Sequence, residues 1–181
     1  MSTTTRPGEL AGDYVLDTAH TRIGFVARHT MGTKVRGQFD AFEGSAHLDG
    51  DRPSQSGAQL TIRATSIQTH HQQRDDQLRA TFLHTDDHPY ITFTSTRVEP
   101  SDETHFKVTG DLTLHGVTHP ITVDVELTGA EHDPRGFFRV DLKGTATINR
   151  KDWGVNWNAA TAVLVSPKVT LEFDIAAIRR A

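Results

Sequence analysis

The sequence contains no cysteine. Disulfides, thiol nucleophiles, iron–sulfur clusters and cysteine-type zinc sites are excluded together. Long apolar runs are missing as well, and nothing approaches the roughly eighteen residues of a spanning helix. There is no basic excess: 19 Lys+Arg stand against 23 Asp+Glu, a net charge of -4. That balance argues against a nucleic-acid partner held by bulk charge. A Gly-x-Ser-x-Gly elbow, an HExxH pair and a glycine-rich phosphate loop are all absent. The opening ten residues are polar and broken by Pro7 and Gly8, with no apolar segment behind them, so the expected location is cytoplasmic. A chain of 181 residues has room for one sizeable core. Residues 1–13 are expected to form an extended or disordered tail and 14–181 a single domain.

What the chain does have is alternation of apolar and polar residues with period two, the mark of strands with one wet and one dry face. Ile23, Phe25 and Ala27 oppose Arg22, Gly24, Val26 and Arg28. The same pattern runs through Ala58 to Ala64, Phe106 to His115, Ile121 to Leu127, Phe138 to Ile148 and Val169 to Ile175. Shorter candidates lie at Val35–Phe39, Phe42–Leu48 and Ile91–Val98. Turn residues separate them at Asp49-Gly50-Asp51, Glu99 to Asp102, His115-Gly116 and Asp133 to Gly136. Only Thr69 to Arg79 lacks alternation. It reads as one short exposed helix capped by Thr69, with Leu78 as its inward anchor. The fold class is all-β, and a closed antiparallel barrel suits long alternating strands because closure removes their edges.

Small residues recur in phase with the large apolar ones: Ala27, Gly37, Gly44, Ala46 and Ala58, then Ala64, Gly110, Gly144 and Ala146. Two readings stand side by side. Small side chains leave an eight-stranded barrel room for a ligand, or they relieve curvature and match a taper.

At this point the order of motifs resembles the YceI-like, polyisoprenoid-binding family. Leu16-Asp17-Thr18-Ala19-His20-Thr21 is similar to that family's first-strand signature, with Phe25 and His29 following. Gly37-Gln38-Phe39 and Phe42-Glu43-Gly44 come next, then Ser66 to Thr69, Arg74-Asp75 and Leu78-Arg79. Phe82-Leu83, His88 to Ser95 and Gly110 to Thr118 complete a likeness running from about Tyr14 to Ile175. The resemblance implies an extended, lipocalin-like antiparallel barrel of eight strands with a short helix in one connection. It also implies an apolar tunnel for a polyisoprenoid, an isoprenoid quinone or a fatty-acid derivative, and a homodimer. Many relatives are periplasmic, a point on which this chain departs.

The candidate ligand contacts follow. Phe25, Phe39, Phe42, Leu60 and Ile62 are one group, and Leu78, Phe82, Phe93 and Leu112 another. Ala27 adds space, and each buried methylene of a chain contributes roughly 0.8 kcal/mol. Arg74 either holds a polar head through paired donors or pins the helix to the barrel through a carboxylate. His29 closes a dry-face series as a rim contact or as a core histidine. Trp153, with Trp157, Asn149, Asn156 and Asn158, either gates a mouth or caps the core. Eleven histidines raise the question of metal, but zinc needs three or four converging ligands. His70 and His71 diverge, and Pro89 discourages the helix that His84 and His88 would need. No metal and no required cofactor are expected, and the protein reads as a carrier rather than an enzyme. The alternatives are an enzyme acting on a lipid or quinone inside the barrel, or a stress-related interaction protein with an incidental cavity.

Overall fold

The computed structural model describes residues 10–29, 34–49, 51–155 and 165–180. Strands β1 (Gly12–Leu16) and β2 (Arg22–His29) are two halves of one bent strand. So are β3 (Lys34–Phe39) and β4 (Phe42–Leu48), and β5 (Gly57–Arg63) and β6 (Ile67–Gln68). The long strands β7 (Tyr90–Pro100), β8 (His105–Leu114), β9 (Val117–His132), β10 (Phe138–Asn149) and β11 (Val165–Arg179) complete the set. Every pairing is antiparallel. The order β4-β5-β7-β8-β9-β10-β11 closes on itself because β1 pairs with both β4 and β11. With the halves joined, this is the expected eight-stranded barrel. No helix among the described residues is long and apolar enough to cross a membrane.

Closure happens at one corner. The last third of β11 pairs with β1 and its middle with β2, so the chain must turn between them without losing the ladder. A short 3-10 turn at Thr18–His20 makes that bend. Asp17 donates its amide to the Ala176 carbonyl at 2.8 Å. The Thr21 hydroxyl donates to the Asp17 carbonyl (2.8 Å) and accepts from the Ala176 amide (3.1 Å). The Asp17 carboxylate in turn meets His20 at 2.7 Å and Arg139 at 3.7 Å. The motif that carried the resemblance is therefore the stitch of the barrel seam.

The alternation reading locates the strands well, apart from β1 and β6, which are too short to show a period. The turn β8–β9 is a two-residue hairpin, with His115 at φ 56° and Gly116 at φ 73°. A right-twisted antiparallel pair favours this left-handed pair of residues. The helix α1 is shorter than expected, Gln72–Gln77, and continues as one wide turn over Leu78–Phe82. Its cap differs too. His71, not Thr69, accepts the Arg74 amide (3.1 Å), because Thr69 is buried and bonded to Asp75.

Two apolar clusters fill the barrel axis. The larger one lies at the helix end, where Ile23, Ile62, Phe82, Ile91, Leu112 and Trp153 are buried together. The smaller one surrounds Tyr14, Phe138, Val140 and Ala177 near the opposite end.

Replacing Thr21 with valine keeps the shape but removes the seam hydroxyl, leaving the partly buried Ala176 amide without its acceptor. Chemical denaturation should show a loss of about 1–3 kcal/mol. An unchanged midpoint would show that the corner holds without it.

Candidate functional site

Bordered by both clusters and reaching the turns lies a cavity of about 1160 Å³. Its walls are Leu60, Phe93, Phe106, Val125, Leu142 and Phe173, one or more from nearly every strand of the ring. Alternation puts these side chains inward, and register sets them in two tiers, Leu60 opposite Phe93 and Phe106 opposite Val125, which is joined through Gly144 to Phe173. Its mouth is formed by the β4–β5 connection, through Asp49, Asp51 and Pro53, and by the β7–β8 turn, through Asp102, Glu103 and Thr104. The volume lies slightly above the usual range of about 300–1,000 Å³ for small-molecule pockets, and the wall offers an apolar chain much and a polar group little.

Both readings of the small residues hold, at different heights. Ala46 and Ala58 face each other across β4 and β5 and line the cavity. At Gly37 and Gly110 an aromatic ring occupies the place of a side chain. A Cβ at Gly37 would lie 2.3 Å from Phe25 Cζ, and one at Gly110 would lie 2.5 Å from Phe93 Cζ. Those glycines accommodate rings across the sheet and leave no ligand space.

The candidate contacts divide accordingly. Leu60 and Phe93 line the cavity and also pack against the helix-end cluster. Ile62, Phe82, Leu112 and Trp153 are buried in the helix-end cluster, with Phe25, Phe39, Phe42 and Leu78 packed against it. Phe25 and Phe39 stack with ring centres 5.8 Å apart. Ala27 is buried on β2 outside the cavity wall. The backbone of His29 ends β2, and its side chain lies outside the described set, as do Asn156, Trp157 and Asn158. Trp153 caps the core and donates from Nε1 to the Leu112 carbonyl (2.9 Å).

Arg74 sits at the far end of the barrel from the mouth, since α1 precedes the start of β7 and the mouth follows its end. Its Nε donates to Thr69 Oγ1 (2.8 Å) and its Nη2 to the Thr69 carbonyl (2.9 Å). Asp75 accepts from the Thr69 amide (2.9 Å) and hydroxyl. Arginine and aspartate thus clamp one threonine and hold the helix on the barrel, a variant of the pinning reading in which Thr69 stands between them. Nearby, the guanidinium of Arg150 is buried and donates to the Val155 carbonyl (2.8 Å). Burial pushes its pKa below the ordinary value.

The histidines gather without forming a metal cage. His84 Nδ1 and His115 Nε2 are 2.7 Å apart, and His115 Nδ1 lies 3.2 Å from the Trp153 carbonyl. A carbonyl only accepts, so in that second contact His115 Nδ1 is the donor. Among the described residues no three ligating side chains converge on one point.

A YceI-like domain is matched over residues 14–177. The chain belongs to the YceI family. A UPF0312 protein of Pseudomonas paraeruginosa is 35% identical over 174 residues, covering 94% of this chain and 89% of that protein. A UPF0312 protein of Shewanella baltica is 34% identical over 173 residues, with the same shares. Among solved structures, the YceI protein of Campylobacter jejuni matches with a TM-score of 0.75 at 27% identity, covering 100% of both chains. A polyisoprenoid-binding domain of Saccharophagus degradans matches in fold, with a TM-score of 0.73 at 20% identity over 92% of this chain and 98% of that one.

Beyond Leu60 and Phe93, the walls of this YceI barrel come from dry-face residues the strand pattern exposes but does not rank: Phe106, Val125, Leu142 and Phe173 among them. The signal available for them was proximity to the Asp/Gly turns at the mouth rather than to the helix.

The rim has its own electrostatics. Asp102 Oδ1 accepts from the Thr104 amide (2.9 Å), the His105 amide (2.8 Å) and His105 Nδ1 (2.9 Å). The Thr104 amide, then His105, holds the Asp102 carboxyl down at about 2. The same carboxylate raises His105 above its ordinary value. Asp102 therefore tightens the turn above its unfolded value of 3.8 and loses that effect as pH falls toward about 2. His105 contributes fully below 6.5 and loses its contribution as pH rises through its raised value. Amide protection at Thr104 and His105, corrected for intrinsic exchange, should peak between those limits and decline above them. Asp102→Asn should flatten the profile. A flat profile in the unmodified protein would mean that the pair does not hold the rim.

Proposed function

We propose that this YceI protein binds and carries, or sequesters, one long apolar amphiphile inside its barrel, its chain along the walls of Leu60, Phe93, Phe106 and Val125. The observation that carries this reading is the size and apolar lining of the cavity in a closed barrel. The likeness to a polyisoprenoid-binding domain supports an isoprenoid chain, and a quinone or fatty-acid derivative belongs to the same proposal. About ten buried methylenes contribute roughly 8 kcal/mol before the cost of immobilising the ligand. That is enough for useful affinity without any catalytic group. Support for binding over chemistry comes from the wall itself, whose carboxylates stand at the rim and which includes no histidine among the described residues.

Mass spectrometry of organic extracts from the freshly purified, untagged chain should show a stoichiometric long-chain species. An uncharged fluorescent prenyl or acyl probe should titrate to one site. In Ala58→Phe, a phenyl ring takes the place of about two methylenes of ligand, and affinity should fall roughly tenfold. Failure of both extraction and titration would overturn the reading. The homodimer implied by the family resemblance belongs to the same proposal. Light scattering on the full chain should give twice the chain mass, and a single-chain mass would count against it.

A further inference from the structure

The mouth of the cavity is acidic. Asp49, Asp51, Asp102 and Glu103 all line it, and the described lining residues include no lysine, arginine or histidine. Asp51 and Glu103 are exposed and form no ion pair with any described residue. Arg52 is exposed in the same loop but lies outside the lining, and His105 is already committed to Asp102.

Four backbone amides of the rim are already spent on its own carboxylates. The amides of Asp51 and Arg52 donate to Asp49 Oδ1 at 3.1 and 2.9 Å. Those of Thr104 and His105 donate to Asp102. Deeper in the cavity, the Tyr14 hydroxyl donates to the Leu10 carbonyl (2.8 Å). A carboxylate or phosphate head would meet four carboxylates and, among the described lining residues, no cation. An ammonium head meets the same carboxylates as partners. Its chain enters the apolar cavity behind them, which is the independent feature that makes this rim part of a site.

From this we infer that the amphiphile this barrel selects carries a cationic head, an amine or quaternary ammonium, held at the mouth by Asp51 and Glu103 with Asp49 and Asp102 behind them. The inference rests on the carrier reading and narrows it, setting the long-chain ammonium class above pyrophosphate or carboxylate amphiphiles of equal chain length. Exposed carboxylates act in high dielectric, so each adds selectivity more than raw affinity.

The test uses three probes with one hexadecyl or hexadecanoyl chain: hexadecyltrimethylammonium, hexadecanoate and the uncharged monohexadecanoyl glycerol. Each is kept below its micelle concentration and made to displace a neutral naphthylamine fluorophore from the full chain at neutral pH and low salt. The ammonium probe should bind roughly tenfold more tightly than the glyceride, and the carboxylate more weakly than either. Salt of about 1 M, where the screening length is about 3 Å, should close the gap. So should the double variant Asp51→Asn, Glu103→Gln, read as the ratio of ammonium to glyceride affinity, with an unchanged circular-dichroism melt as the check on its fold. Equal binding of all three probes, or tightest binding of the carboxylate, overturns the cationic assignment while leaving the carrier reading in place. A gap that persists in the double variant overturns the assignment to Asp51 and Glu103. Displacement by none of the three overturns the carrier reading, and this inference falls with it.

Discussion

The barrel depends on a single seam. β11 must serve two partners along one edge, β1 beyond the corner and β2 before it. A sheet of this length that failed to close would expose two unpaired edges, the configuration most prone to association with other chains. The Thr21 hydroxyl and the Asp17 amide satisfy the backbone where the ladder would otherwise break. The seam also sets the barrel's interior, because closure fixes which residues from opposite walls face each other and how far apart they stand.

The fold was legible in the sequence because a period of two survives wherever one face is wet. It identified the long strands and the polar helix segment, and the ordered motifs identified the family. Axial position was not legible in the same way. Alternation says that Phe25, Leu112 and Leu60 all point inward. It does not say that the first two sit among the packed side chains at the helix end while Leu60 packs against them and also lines the cavity. That distinction comes from what fills the barrel rather than from register, which sets Leu60 opposite Phe93 and Phe93 opposite Leu112. The cap of α1 was missed for a similar reason. Thr69 has a good capping side chain, but a buried Asp75 needs a donor more than an exposed helix end needs an acceptor, and the hydroxyl goes to the carboxylate.

The resulting barrel is divided along its axis. At the helix end, the Phe25 ring fills the space over Gly37, and Trp153 ties the core to the β8 backbone. At the turn end, Ala46 and Ala58 leave the wall open. The division separates two demands that compete in any ligand-carrying core. Close packing supplies stability and a unique structure, and an unfilled volume supplies a place for cargo at a cost in that same stability. The helix, pinned by Arg74 and Asp75 through Thr69, belongs to the first demand.

The unfilled half couples the cargo to the thermodynamics of the whole chain. An occupant that binds only the native barrel deepens the native well by mass action. At a free concentration one hundred times its dissociation constant, the gain is about 2.7 kcal/mol, a sizeable share of a typical domain's stability. The melting point of a given preparation then reports how fully the barrel is loaded as well as how well the chain is packed. Two preparations of identical sequence with different lipid histories would behave as proteins of different stability.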